Sequence, residues 1–251
     1  MGRTIAVANQ KGGVAKTTSV AALGAALGEQ GRRVLVVDLD PQACLTFSLG
    51  FDPDKLQPTI HDVFVGRCGV ETTIVPVDQE SFELVPANID LAGAEAYLLT
   101  RTGREYALRS SLEEMGESYD VVLLDCPPSL GVLTINALTA ADDVVIPLQC
   151  ETLSHRGVGQ LLATIDDVRR LTNRDLRVVG IIPTMFDART THSREVLADV
   201  GDRYGLHVFQ PPVRKSVRFA EAPLEGRTIL RFAPGHPGAE AYRQIAGELV
   251  S

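Results

Sequence analysis

A chain of 251 residues with 45% hydrophobic side chains is long enough to bury the core of one large α/β domain. Its 24 Lys and Arg against 32 Asp and Glu leave a net charge of −8, which excludes a surface built globally for nucleic acid and confines any such binding to a local basic patch. No run approaches the about 18 apolar residues of a membrane span, and the four cysteines, Cys44, Cys68, Cys126 and Cys150, are scattered without a C-x-x-C, so the expectation is a cytoplasmic protein with reduced thiols.

The chain opens on an apolar run, Thr4 to Ala8, followed by Asn9-Gln10-Lys11-Gly12-Gly13-Val14-Ala15-Lys16-Thr17-Thr18 and then a helical pattern with Val20, Leu23 and Leu27 on one face. Strand, glycine loop and helix in that order form a phosphate-binding unit: backbone N–H groups at a helix N-terminus offer an anion several donors and a partial positive charge. Lys16 is placed to reach the β- and γ-phosphates of a polyphosphate and Thr17 to ligate Mg²⁺. The strict G-x-x-x-x-G-K-[ST] pattern fails at Gln10 and Ala15. A positive φ at Ala15 would strain the loop by about 1 kcal/mol, whereas a helical φ would cost little.

Gly28 and Gly31 are expected to break the helix before a second apolar run, Arg33 to Asp38, which reads as a parallel strand buried on both faces. It ends in Asp38-Leu39-Asp40-Pro41-Gln42, a carboxylate pair in the crevice where open α/β sheets bind ligands, or alternatively a pair that caps the following turn. Thr59 to Val65 suggests a short helix, Phe82 to Pro86 a strand, Ala87 to Glu95 the approach to a helix, and Arg104 to Met115 an amphipathic helix with Leu108 and Leu112 inward.

Val121 to Leu124 followed by Asp125-Cys126-Pro127-Pro128 has the form of a buried strand delivering one carboxylate to a Mg²⁺ site, and Asp125 is the candidate. Cys126 reads as a small buried residue. A helix over 131–140, a strand over 143–148, a helix over 157–171 with Val158, Leu161, Leu162, Ile165 and Val168 on one stripe, and a strand over 178–183 continue the alternation. A helix bearing Val196, Leu197 and Val200 follows, then Arg214, Lys215 and Arg218 within five residues, by composition a solvated basic loop, and a final helix over 239–250. The alternation predicts a single α/β domain over 1–251, a mostly parallel twisted sheet with helices on both faces.

Five strings in combination, Lys-Gly-Gly-x-x-Lys-Thr-Thr, D-L-D-P-Q, D-C-P-P, M-x-D-A-R and V-R-x-x-E-A-P, resemble those of the ParA/MinD family of deviant Walker A ATPases, closest to the chromosomal ParA (Soj) branch. The resemblance implies an ATP- and Mg²⁺-dependent homodimer with nucleotide bound over residues 11 to 18, Lys11 reaching the partner subunit's nucleotide, and Asp40 positioning the attacking water, itself a further candidate Mg²⁺ contact. It also implies non-specific DNA binding through Arg189 and Arg218, with Arg214 and Lys215 as neighbours, and a ParB-type partner that stimulates slow hydrolysis. Proline is usual in the family where Arg214 stands, near the adenine. No N-terminal helix-turn-helix extension is expected, and the C-terminal Tyr242 to Ser251 lacks the basic amphipathic character of a MinD-like membrane anchor. A non-hydrolysing ATP-binding scaffold and an iron–sulfur reductase are the other readings.

Overall fold

A computed structural model describes residues 2–149, 154–187, 189 and 191–250, with the backbone alone described at 154–156, 191, 192 and 200. Cys150, Ala188 and the side chain of Val200 lie outside the described residues. Among the described residues seven strands, β1 (Arg3–Val7), β2 (Val34–Asp38), β3 (Val75–Pro76), β4 (Glu83–Val85), β5 (Val121–Asp125), β6 (Asp143–Gln149) and β7 (Arg177–Thr184), form one sheet in the order β3-β4-β2-β5-β1-β6-β7. Every pairing is parallel except β3 with β4. The helices are α1 (Lys16–Glu29), α2 (Cys44–Ser48), α3 (Ile60–Phe64), α4 (Leu91–Leu99), α5 (Ala107–Glu114), α6 (Val132–Ala140), α7 (Ser154–Leu171), α8 (Thr191–Tyr204), α9 (Arg218–Glu221), α10 (Ile229–Phe232) and α11 (Pro237–Leu249).

The period of two along a strand explains the continuous apolar runs. Val34 and Val36 point to one face with Ile5, Val7 and Leu123, under α1 and α11; Leu35 and Val37 point to the other with Leu124 and Ile146, under α4 to α7. Both faces are dry, so no polar alternation appears. The stripe expected on α7 is buried at Val158, Leu161, Ile165 and Val168, with Leu162 half-buried, and Leu108 and Leu112 of α5 are buried as the amphipathic pattern predicts. The expected helix over 104–115 begins as a 3-10 turn at Arg104–Tyr106.

Gly28 does not break α1. It lies inside the helix because a Cβ there would stand 2.3 Å from the Ser81 carbonyl oxygen, so glycine permits a close helix–loop approach. Gly31, at φ 80°, does end it: Gly31 N–H bonds to the Gly28 carbonyl and Arg32 N–H to the Leu27 carbonyl, the paired bonds of a left-handed C-terminal cap.

Candidate nucleotide site

β1 is central, and where it ends the Ala8 N–H bonds to the Val145 carbonyl before the chain turns across the C-terminal edge of the sheet. Residues 9 to 15 are pinned from several sides. Buried Asn9 donates from Nδ2 to the Pro147 carbonyl at 2.8 Å and accepts the Lys11 N–H at 3.0 Å, and the Thr184 hydroxyl at the end of β7 donates to the Val14 carbonyl at 3.0 Å. Gly13 stands at φ 71° and Ala15 at φ 65°, ψ 35°, so the open question at Ala15 resolves to the left-handed, strained alternative. Ala15 takes the N-cap position of α1 with no side-chain cap, and the first turn holds no acid. The helix therefore presents backbone donors and the positive end of its dipole without a protein anion to satisfy them.

Lys16 is 7% exposed and donates from Nζ to the Lys11 carbonyl at 3.2 Å, folded back over its own loop. Burial lowers its pKa, opposed chiefly by the negative charge of Asp125. Lys11 is half-buried, Gly12 and Gly13 are exposed, and Thr17 and Thr18 are half-buried on the first turn.

Asp38, Asp125 and Val7 share one register row across β2, β5 and β1. Asp125 is buried, and neither carboxylate oxygen has a hydrogen-bond partner. Burial, then the charge of Asp38, drives its pKa well above the usual carboxylate range, while Thr17 and Lys16 act in the opposite sense. An orphaned buried carboxylate beside a threonine hydroxyl is a hard oxygen donor set suited to Mg²⁺, which binds through one or two protein groups and substrate phosphates. Among the described residues no cluster of three or more His, Cys, Asp or Glu forms an all-protein metal cage.

Asp38 accepts the Thr46 N–H at 2.9 Å and hydroxyl at 2.7 Å on Oδ2, and the Asp40 N–H at 3.1 Å on Oδ1. Burial raises its pKa to about 6 against these bonds. Asp40 is half-buried and accepts the Gln42 N–H at 2.9 Å, so the pair caps the turn that follows β2, as the alternative reading of D-L-D-P-Q expects. Cys126 is buried, and burial followed by Asp125 pushes its thiol strongly upward, leaving it protonated and unreactive.

Arg189, Arg214 and Lys215 line one surface groove of about 650 Å³ with Phe186, Asp187 and Val217. Phe186 pairs with Arg214 in an isolated parallel bridge, which brings two segments distant in the chain together. Arg189 is ion-paired to Asp187 at 3.1 Å. Arg218, on α9, lies beside this groove and not in it, paired to Glu221 at 2.8 Å and stacked over the Phe232 ring. Sequence reasoning missed an apolar pocket of about 230 Å³ that adjoins Ala15 and Thr18 and is lined by Met185, Val213 and Phe219. No local signal marks it, since its walls come from four separate stretches.

Residues 2–178 match the AAA domain family. The chain is 42% identical over 251 residues to the sporulation initiation inhibitor protein Soj of Bacillus subtilis, covering all of this chain and 99% of that one. It is 41% identical to the chromosome partitioning protein ParA of Caulobacter vibrioides, covering 99% and 94%. A structure of a Mycobacterium smegmatis protein, described as cobyrinic acid a,c-diamide synthase and solved with ADP and magnesium, superposes with a TM-score of 0.89 at 57% identity, covering 100% and 94%; the same protein has been solved with an ATP analogue and magnesium.

Proposed function

Because the chain belongs to the ParA/MinD family of P-loop ATPases, we propose that it is a partition-type ATPase that dimerises on ATP, binds DNA without sequence preference in that state, and hydrolyses ATP to release it. The observation that carries the nucleotide half of this reading is the convergence at one sheet edge of an uncapped helix N-terminus, Lys16 and the partnerless carboxylate of Asp125. Backbone N–H groups of residues 12 to 18 cradle the phosphates, and Lys16 exchanges the Lys11 carbonyl for a phosphate oxygen. Thr17 and Asp125 would hold Mg²⁺, which when bound would supply charge neutralisation at the phosphates. The pocket lined by Met185, Val213 and Phe219 takes the base, with Arg214 at its rim. Asp40 orients the attacking water, and Lys11 crosses to the partner subunit's nucleotide.

Arg189, Arg214, Lys215 and Arg218 then serve as phosphate contacts. One such patch, partly neutralised by Asp187 and Glu221, binds weakly; two brought together by the dimer bind through effective concentration. A ParB-type partner stimulates hydrolysis and couples the cycle to its cargo. A MinD-like membrane role is disfavoured by α11, whose apolar residues Tyr242, Ile245 and Leu249 are buried against the core rather than available to lipid. No helix among the described residues is long and apolar enough to cross a membrane.

The test is binding to a non-specific duplex with ATP, with ADP and without nucleotide at two salt concentrations, alongside phosphate release without any carboxylate co-substrate. Salt-sensitive binding with ATP alone supports the partition cycle. Binding indifferent to nucleotide, or ATP turnover that requires a carboxylic acid and an ammonia donor, overturns it. Lys16→Ala should weaken nucleotide binding roughly ten- to a hundredfold, the equivalent of one charged hydrogen bond.

A further inference from the structure

Thr46 is fully buried in α2, a helix of five residues, and its side-chain hydrogen bonds go to Asp38 and Ala87, neither of which is assigned to phosphate, base or DNA. So short a helix does not hold itself in place and depends on tertiary anchors. The anchor here is Thr46. Its N–H and its hydroxyl both donate to Asp38 Oδ2, and the same hydroxyl accepts the Ala87 N–H at 3.0 Å, just beyond the end of β4. With its proton committed to Asp38 and a lone pair to Ala87, the hydroxyl has one orientation, and it fixes the plane of the Asp38 carboxylate.

That plane matters because the two oxygens of Asp38 serve different elements: Oδ2 holds α2, and Oδ1 holds the backbone N–H of Asp40. A carboxylate that turns on its axis moves both together. We infer that Thr46 is a positioning residue for hydrolysis, setting where Asp40 stands through Asp38 without contacting nucleotide. The inference rests on the reading above that Asp40 acts on the attacking water.

Thr46→Val keeps the shape and the backbone N–H bond to Asp38, removes the hydroxyl donor and leaves the Ala87 N–H unpaired; Thr46→Ser keeps both hydroxyl bonds. At saturating Mg²⁺ and ATP, Thr46→Val should lower kcat roughly tenfold or more with KM for ATP within about twofold, and Thr46→Ser should stay within about threefold of the parent. A role confined to stability would lower the melting temperature and leave kcat of the folded fraction unchanged; that result, or a Ser variant as slow as Val, overturns the inference. Amide hydrogen exchange is the second measurement. Faster exchange at residues 40 and 42 in Thr46→Val, with residues 12 to 16 unaltered, supports the inference, and unaltered exchange at 40 and 42 overturns it. Should the parent protein turn over no ATP, the hydrolysis reading fails separately, and the exchange experiment still decides whether Thr46 places Asp40.

Discussion

Asp38 and Asp125 face each other in register on adjacent parallel strands, both buried, with the burden of desolvation raising the pKa of each. A carboxyl with a raised folded pKa binds its proton more tightly folded than unfolded, so it favours the fold most at low pH, and that contribution fades as pH climbs from about 4, the unfolded value, to about 6 and beyond. Urea denaturation of the nucleotide-free protein should therefore give a midpoint that falls between pH 5 and pH 7.5. Asp125→Asn should flatten that slope, raise the neutral-pH midpoint, and abolish the extra stabilisation by Mg²⁺ with ATP. A midpoint that climbs with pH over this range would contradict the account from burial.

Ala15 occupies a left-handed conformation that glycine adopts freely. Ala15→Gly should stabilise the protein by about 0.5 kcal/mol or less, the relieved strain less the greater backbone entropy of glycine. Because the loop already has this shape, nucleotide affinity should change by less than about threefold, equivalent to less than about 0.7 kcal/mol. Chemical denaturation and nucleotide titration of the pair check both numbers; a large gain in affinity would show that the alanine deforms the loop.

Gly28 presses α1 onto the segment carrying Ser81. Gly28→Ala brings a methyl within 2.3 Å of a carbonyl oxygen, an overpacking cost of about 1–3 kcal/mol that exceeds the helix-propensity gain of about 1 kcal/mol. A net loss of up to about 2 kcal/mol in urea is expected. Stabilisation instead would mean that the Ser81 loop yields.

Arg214 and Lys215 share the groove with Arg189. The double change Arg214→Ala, Lys215→Ala should weaken non-specific DNA binding evenly across sequences and reduce the slope of log affinity against log salt by about 4, two phosphate contacts from each subunit of the dimer. Arg218→Glu should reduce binding as well, though Arg218→Ala should matter less than Arg214→Ala, because Glu221 already holds that guanidinium. Fluorescence anisotropy over a salt series separates these outcomes.

Much of the fold was legible in one dimension because its signals are local. A run such as Val34 to Val37 is apolar at every position only when both faces of a strand are covered, and strands alternating with helical periods leave few topologies besides a parallel sheet. Gly28 misled for an equally physical reason: glycine marks a helix end and a close approach alike, and only the position of Ser81 tells them apart. The antiparallel β3 and the five-residue α2 carry too few residues for any period to register.

For the candidate site, the sequence by itself identified the family and pointed to the phosphate loop, the Asp38–Asp40 pair and Asp125 as candidates, since each rests on residues close together in the chain. Tertiary structure alone decided that Asp38 and Asp125 stand in one register row, that Arg189 joins Arg214 and Lys215 while Arg218 lies beside them, and that Thr46 orients Asp38. Those relationships link residues across strand order and loop closure, and their energies depend on burial and distance, which no local pattern encodes.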